Sequence, residues 1–218
     1  MFSAARKIIH KFRNALHKAA RAVRFRKLKK AFQGRTFSVF SSNCVGCLML
    51  HDLGVAFRSP FVNLYMNAAD YLKYLQDPQK YNEMAFTQLP TEQNYPVGRL
   101  GDLTVHFVHY PSFDEAVAAF QRRVPRIRYD RLFVIFSERD GCTYEDLQAF
   151  DRLPYKNKIV FTHKPYADIQ SSFCIEGFAD AGELGDIIKW DKKWGHKPYD
   201  QFDFANWFYT HTTTQESQ

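Results

Sequence analysis

The sequence predicts an α/β layered domain on a mostly parallel or mixed sheet, preceded by a basic amphipathic N-terminal helix. Two observations point to the domain. Short runs rich in Phe, Val and Ile alternate with helical patterns, and those runs are nearly continuously apolar, as strands buried on both faces are. A third observation points to the helix: residues 1–35 hold twelve Lys and Arg and no acid, the first acidic residue being Asp52. The other 183 residues hold 18 bases against 23 acids, so the formal +7 of the chain belongs to its N-terminal arm.

The arm comes first in order. At 100° per residue, Phe2, Ala5, Ile8, Ile9, Phe12, Leu16, Ala19, Ala20 and Val23 share one arc. Arg6, Lys7, Lys11, Arg13, Lys18, Arg21 and Arg24 fill the opposite arc, with His10, Asn14 and His17 among them. This predicts one helix over residues 2–24; past Arg24 the register breaks, and Gly34 stops the segment. The apolar run is too interrupted to span a bilayer or to serve as a secretory signal. An in-plane anchor on an anionic membrane fits the pattern best, with these seven cations as its lipid contacts. A transit peptide, a nucleic-acid contact and a solvated helix packed on its own domain are the weaker alternatives. No recognition motif or aromatic platform follows the basic run, so nucleic acid is not an expected partner.

Residues 35–209 form the expected domain, long enough for one well-buried core and short for two. Residues 210–218, THTTTQESQ, read as a disordered tail. Strands are predicted at 36–41, 102–109, 131–137 and 158–163. Between them, one helix starts after Ser42 and Asn43 and ends near Gly54, and another runs from Asn67 to Pro78. A third starts at Ser112 with Glu115 in capping-box spacing, and a fourth at Thr143 with Asp146 likewise placed.

Ligands of layered α/β domains sit where strands end and helices begin. Ser41, Ser42, Asn43 and Cys44 occupy such a junction, where free backbone N–H groups attract an anion; plain capping by Ser42 or Asn43 explains them equally well. Arg99 and Asp102 lie in a glycine-flanked YPVGRLGD stretch, and His106 and His109 follow at a spacing that lets only one face a given cleft. Glu138, Arg139 and Asp140 close one strand, and His163 and Lys164 close another. Three charged strand ends in one sheet make a shared polar rim plausible.

Cys44 and Cys47 form a C-x-x-C after a strand, as a redox pair does, and Cys142 and Cys174 would complete four zinc ligands. Neither signal is strong, and four ordinary thiols in a reducing cytoplasm are favoured. No metal and no cofactor is expected.

The strings FSVFSSNCVGCLMLHDLGVAFRSPFVNLYM, YPVGRLGDLTVHFVHY, RYDRLFVIFSERDG and FDRLPYKNKIVFTHKPY resemble a bacterial family of unknown function, often labelled exopolysaccharide or capsule biosynthesis proteins. The resemblance covers residues 36–180 and not the basic arm. It implies a three-layer domain and a link to surface-polysaccharide genes, but brings no established reaction. The position of Cys47 is usually Gly there, which further weakens redox and zinc.

The function expected is a peripheral sugar-transfer, glycosyltransferase-like enzyme. It would work at the inner face of the cytoplasmic membrane, on a nucleotide sugar and a lipid-linked glycan acceptor. Donor phosphates would sit at Ser42, Asn43 and Cys44 with Arg99 as counter-charge. Glu138, Arg139, His163 and Lys164 would add substrate contacts, and Asp102, His106 or Asp140 would be the general base. The absence of a D-x-D triplet suggests metal independence. The alternatives are an acyl or phosphoryl transferase, using Cys44 or Ser42 as nucleophile with His106 or His163 as base, and a non-catalytic scaffold. No G-x-S-x-G elbow supports the former.

Overall fold

A four-stranded sheet, three of its strands buried on both faces and the edge strand half-buried, organises the computed structural model, which describes residues 2–213, the side chains of 2–5, 8 and 213 excepted. In chain order the elements are α1 (Phe2–Ala31), β1 (Ser38–Ser41), α2 (Val45–Leu53), α3 (Ala68–Gln76), α4 (Pro78–Asn82), β2 (Phe86–Leu89) and β3 (Val97–Leu100). Then follow β4 (Leu103–His106), α5 (Phe113–Arg123), β5 (Leu132–Ser137), α6 (Tyr144–Arg152), β6 (Asn157–Thr162), β7 (Ser172–Cys174) and α7 (Phe204–Thr213). The main sheet runs β1-β5-β6-β7 with every pair parallel. Alternation along its strands sends Val39, Phe133, Ile135, Ile159 and Phe161 into a core shared with α1, α2 and α7. Phe40, Val134, Phe136 and Val160 enter a second core with α3, α5 and α6. The result is a three-layer α/β domain. The expected caps form: Asn67, Ser112 and Thr143 each accept a backbone N–H three residues on, and Thr143 and Asp146 complete a capping box.

One predicted strand belongs elsewhere. Residues 103–106 pair with β3 in a separate antiparallel sheet, β2-β3-β4, because Gly101 and Asp102 form a two-residue hairpin turn with Leu100 opposite Leu103. The C-terminus differs too. Residues 210–213, expected to be disordered, extend α7; Phe208 is buried, and Thr212 accepts a hydrogen bond from Arg35 at 2.9 Å. Residues 214–218 of the expected tail lie outside the described residues.

The arm is integrated more deeply than its pattern suggested. α1 continues to Ala31, and it buries a narrow stripe, His17, Arg21 and Phe25, that takes two residues from the predicted polar arc and is continued by Phe32 just past the helix end. Arg21, expected to face lipid, is only 5% exposed. Its Nε donates to Asp52 at 2.9 Å, Nη1 to the Gly195 carbonyl and Asp200 at 2.8 Å each, and Nη2 to the Tyr199 hydroxyl at 2.7 Å. Arg24 also ion-pairs with Asp200. His17 stacks on Trp190 at 4.9 Å and meets Trp194 at 4.4 Å. Residues 190–200 form a strap over α1, and Gly195 in it lies so close that a Cβ there would be 2.7 Å from the Arg21 backbone nitrogen. The predicted apolar stripe is left outside: Ile9, Phe12, Leu16 and Val23 are 67, 67, 44 and 75% exposed. Among the described residues no helix is long and apolar enough to cross a membrane.

Removing one partner of a buried charge network strands the others, at a cost of about 3–5 kcal/mol. Arg21→Met is expected to lower unfolding stability by that amount in urea titrations, with Asp52 deprived of its arginine and Asp200 left to Arg24. Burial pushes the Asp200 carboxyl up, but hydrogen bonds and charge from Arg21 outweigh this and hold it below its ordinary 3.8. A carboxylate depressed by folding contributes stability that is full above its unfolded pKa and is lost as pH falls through the folded value. Wild-type stability measured from pH 6 to pH 2 should therefore drop below about pH 4, and this drop should shrink in Arg21→Met.

Candidate functional site

All four parallel strands end at the same edge of the main sheet, and a cavity of about 350 Å³ opens there. Three stretches build it. The β1–α2 junction supplies Asn43, Cys44 and Val45; the segment after β5 supplies Arg139 and Asp140; Asp186, Ile187 and Ile188 close it from a loop, with Tyr65, Val108 and His109 on the remaining wall. The loop is held in place where the Leu184 N–H donates to the Glu138 carbonyl at 2.8 Å.

At the α2 N-terminus, capping falls to Asn43 and Ser41 rather than Ser42. Asn43 Oδ1 accepts the Val45 N–H at 3.1 Å, and Ser41 Oγ accepts the Gly46 N–H at 3.2 Å. Ser42 is buried outside the cavity, its N–H bound to the Ile135 carbonyl and its own carbonyl to the Met66 N–H. Cys44, at the N-cap itself, makes no side-chain cap. Asp140 adopts φ +59°, a left-handed conformation tolerated by Asp, so the chain reverses directly after β5. The Arg139 Nε lies 3.3 Å from Asp140 Oδ2, and its Nη1 donates to the Gly185 carbonyl at 3.5 Å. Both side chains are about one-third exposed, an ion pair open to a ligand.

The remaining expected site residues go elsewhere. Arg99 is exposed on β3, opposite Thr87 and Thr104 in the antiparallel sheet. Gly98 beside it makes room not for a ligand but for Phe86, Phe107 and Phe113. Asp102 accepts from Lys73 at 2.7 Å and Tyr81 at 2.9 Å at the exposed hairpin turn. His106 stacks flat on Tyr65, 4.3 Å away and behind the cavity wall, with its Nδ1 buried and unpartnered. Burial lowers its pKa. β4 ends at His106, so strand alternation no longer governs His109, and that histidine reaches the cavity instead.

Glu138 and His163 are buried against one another. Glu138 Oε2 accepts the His163 backbone N–H at 2.8 Å and faces its Nδ1 at 2.6 Å, while Oε1 accepts the Tyr166 hydroxyl. This cluster ties the ends of β5 and β6 together from inside. Lys164 is exposed, its ammonium 5.4 Å from the centre of the Tyr166 ring. Of the expected rim, Arg139 and Asp140 after β5 line the cavity beside Asn43 and Cys44 after β1, while Glu138 and His163 form an internal brace between β5 and β6. Asp186, Ile187 and Ile188 carried no sequence signal, since they lie in irregular chain beyond β7 and are brought to the site by the Leu184 and Gly185 contacts.

All four cysteines are free thiols, and among the described residues no three His, Cys, Asp or Glu groups are gathered as for a metal. The Cys47 S–H donates to the Phe61 carbonyl at 2.9 Å, and burial, aided by Cys44, pushes its pKa up to about 12. Burial raises Cys44 as well. Neither environment favours a thiolate, so neither redox exchange nor a Cys44 nucleophile gains support. Mass-spectrometric alkylation at neutral pH should label Cys44 and Cys47 at least roughly tenfold more slowly in the folded than in the urea-unfolded chain.

Residues 13–209 match the family described as Domain of unknown function (DUF1919). A protein of Haemophilus influenzae, described as uncharacterized, is 44% identical over 198 residues, covering 91% of this chain and 96% of its own. The match starts at Arg13, so it takes in the half of α1 that carries His17, Arg21 and Phe25, beyond the span that the strand strings alone suggested. Spanning nearly the whole described fold, strand-end cavity included, these likenesses place the chain in the DUF1919 family.

Proposed function

We propose that the chain is a peripheral-membrane sugar-transfer enzyme of surface or exopolysaccharide biosynthesis, with the strand-end cavity as its donor site. The observation that carries this reading is the convergence of the α2 N-terminus, Arg139 and Asp140 on one cavity. Its volume, about 350 Å³, falls within the range of small-ligand sites. Asn43 and Ser41 already take the Val45 and Gly46 N–H groups, so the start of α2 favours a phosphate through its positive dipole end, and Arg139 adds a full positive charge where a leaving diphosphate would gather its negative one. Arg139 thus takes the role that the sequence alone suggested for Arg99. Asp140 is assigned as general base: it accepts the proton of the acceptor hydroxyl as that oxygen bonds to the anomeric carbon and the bond to the departing phosphate oxygen breaks. Val108, Ile187 and Ile188 would limit water, the competing acceptor.

The outward stripe of α1 supports the membrane half of the reading. Ile9, Phe12, Leu16 and Val23 are exposed, with Arg6, Lys7, Lys11, Arg13 and Lys18 exposed beside them and no acid in the helix to neutralise these charges. Such a helix lies in the headgroup region of anionic lipid, apolar face down. A lipid-linked acceptor would then meet the domain at high effective concentration.

Two measurements test the two halves. In a donor-turnover assay across a panel of nucleotide sugars, Arg139→Met should weaken donor binding roughly 10–100-fold, the worth of a charge-assisted hydrogen bond. Asp140→Asn should lower kcat about 10²–10⁴-fold with little change in donor affinity. Donor binding and turnover absent throughout, with a lipid-linked glycan still bound, would leave a scaffold instead. In flotation with anionic vesicles, Ile9→Ser combined with Phe12→Ser should cut binding at least about tenfold without altering the melting temperature, and salt should weaken the wild type.

A further inference from the structure

A second cavity, of about 370 Å³, lies between α1 and α2 and shares no residue with the strand-end site. Its apolar wall is Ala22, Phe25 and Leu48, with Trp190 closing one side. The rest is cationic: Lys18 and Lys29 on α1, Lys197 on the returning C-terminal segment, and Arg21. The one carboxylate present, Asp52, is already engaged by Arg21 and by the Tyr199 hydroxyl at 2.7 Å. Asp200, the other acid nearby, is bound to Arg21 and Arg24.

Lys197 is the telling group. It is partly buried, and its ammonium lies 5.0 Å from the Trp190 ring centre and 5.7 Å from that of Tyr199. Among the described ion pairs none involves Lys197, Lys18 or Lys29. Lys18, Lys29 and Lys197 therefore line one cavity without a direct ion pair, and the carboxylates of Asp52, Asp200 and Asp186, which act on Lys197 from a distance, offset its charge only in part. Burial and the charge of Arg21 lower the Lys197 pKa, a sign that its charge is held at a cost. An anion in the cavity would remove that cost.

We propose that this cavity binds a phosphate group carried on a partly apolar molecule, with Lys197 and Lys18 holding the phosphate and Phe25 and Leu48 meeting the apolar part. Tetrahedral oxyanions suit several separate ammonium donors, and the adjoining apolar wall distinguishes the site from a simple salt contact. Two sources carry this chemistry: the headgroup of a phospholipid and a free phosphate monoester. The site stands independently of the sugar-transfer reading, because neither its residues nor its ligand charge depends on the strand-end cavity.

The full-length chain tests it in two arms. Calorimetric titration with glycerol 3-phosphate, up to about 10 mM, reads the soluble source. Sedimentation with phosphatidylcholine vesicles holding about 30% phosphatidic acid reads the lipid source. In whichever arm the wild type binds, Lys197→Gln is expected to weaken binding at least about tenfold, and Lys18→Gln severalfold. Arg99→Gln, on the antiparallel sheet and outside both cavities, should leave it unchanged. Binding in the soluble arm alone identifies a free phosphate ester, and in the vesicle arm alone a headgroup. Because loss of the α1 stripe would also reduce vesicle binding, the Ile9→Ser and Phe12→Ser variant is run beside it, and the calorimetric arm should be blind to it. Wild-type binding in neither arm, or unchanged affinity in both lysine variants, overturns the proposal; Lys18 is exposed, so its variant remains readable even where Lys197→Gln fails to fold.

Discussion

Arg21 is one guanidinium held by three distant parts of the chain: Asp52 on α2, the Gly195 carbonyl in the strap, and Tyr199 with Asp200 ahead of α7. Its plane also lies over the Phe25 ring, 4.7 Å from the centre. A buried arginine this fully engaged does more than add stability, since any shift of α1 would strand the buried Asp52 carboxylate and weaken the hold on Asp200. It therefore fixes the rotation of α1 about its own axis. With His17, Arg21 and Phe25 turned inward, Ile9, Phe12, Leu16 and Val23 have to point away from the domain.

That single rotational choice produces the other features of this face. It sets Lys18 and Lys29 over α2, creates the cationic cavity with Lys197, and leaves an apolar stripe backed by a rigid domain rather than by a flexible tether. A helix so anchored holds its stripe at a set angle to the body. Of two interfaces that could cover the stripe, a second copy of the chain would bring the same uncompensated cations together, whereas an anionic lipid surface would neutralise them.

On the other side of the design, the parallel sheet gathers its strand ends at one edge because every crossover returns in the same direction. β1 and β5 are direct neighbours although about ninety residues separate them, so Asn43 and Arg139 face one cavity. The Glu138–His163–Tyr166 cluster locks β5 to β6 immediately behind Arg139. Rigid support for a charged pair at a strand end is what a site needs if its geometry is to be ready before the ligand arrives.

Much of this was legible in the chain itself. Alternating apolar runs and capping residues gave the layered α/β class, the helix starts at Asn67, Ser112 and Thr143, and the strand ends carrying Asn43, Cys44, Arg139 and Asp140, because these signals are local and period-driven; the third layer came from the family resemblance. Arg99, Asp102 and His106 were misassigned for one reason: the Gly101 turn puts them in a second sheet, and pairing between strands is not written in either strand. Asp186 and Ile187 were invisible because a loop joins a site through a tertiary hydrogen bond and not through a pattern. The arm is the sharpest case. Its two arcs follow from residue spacing alone, but that the stripe of His17, Arg21 and Phe25 turns inward was decided by Asp52 and Asp200, acids far along the chain that pair with Arg21, so the apolar arc and the remaining cations both stay outside.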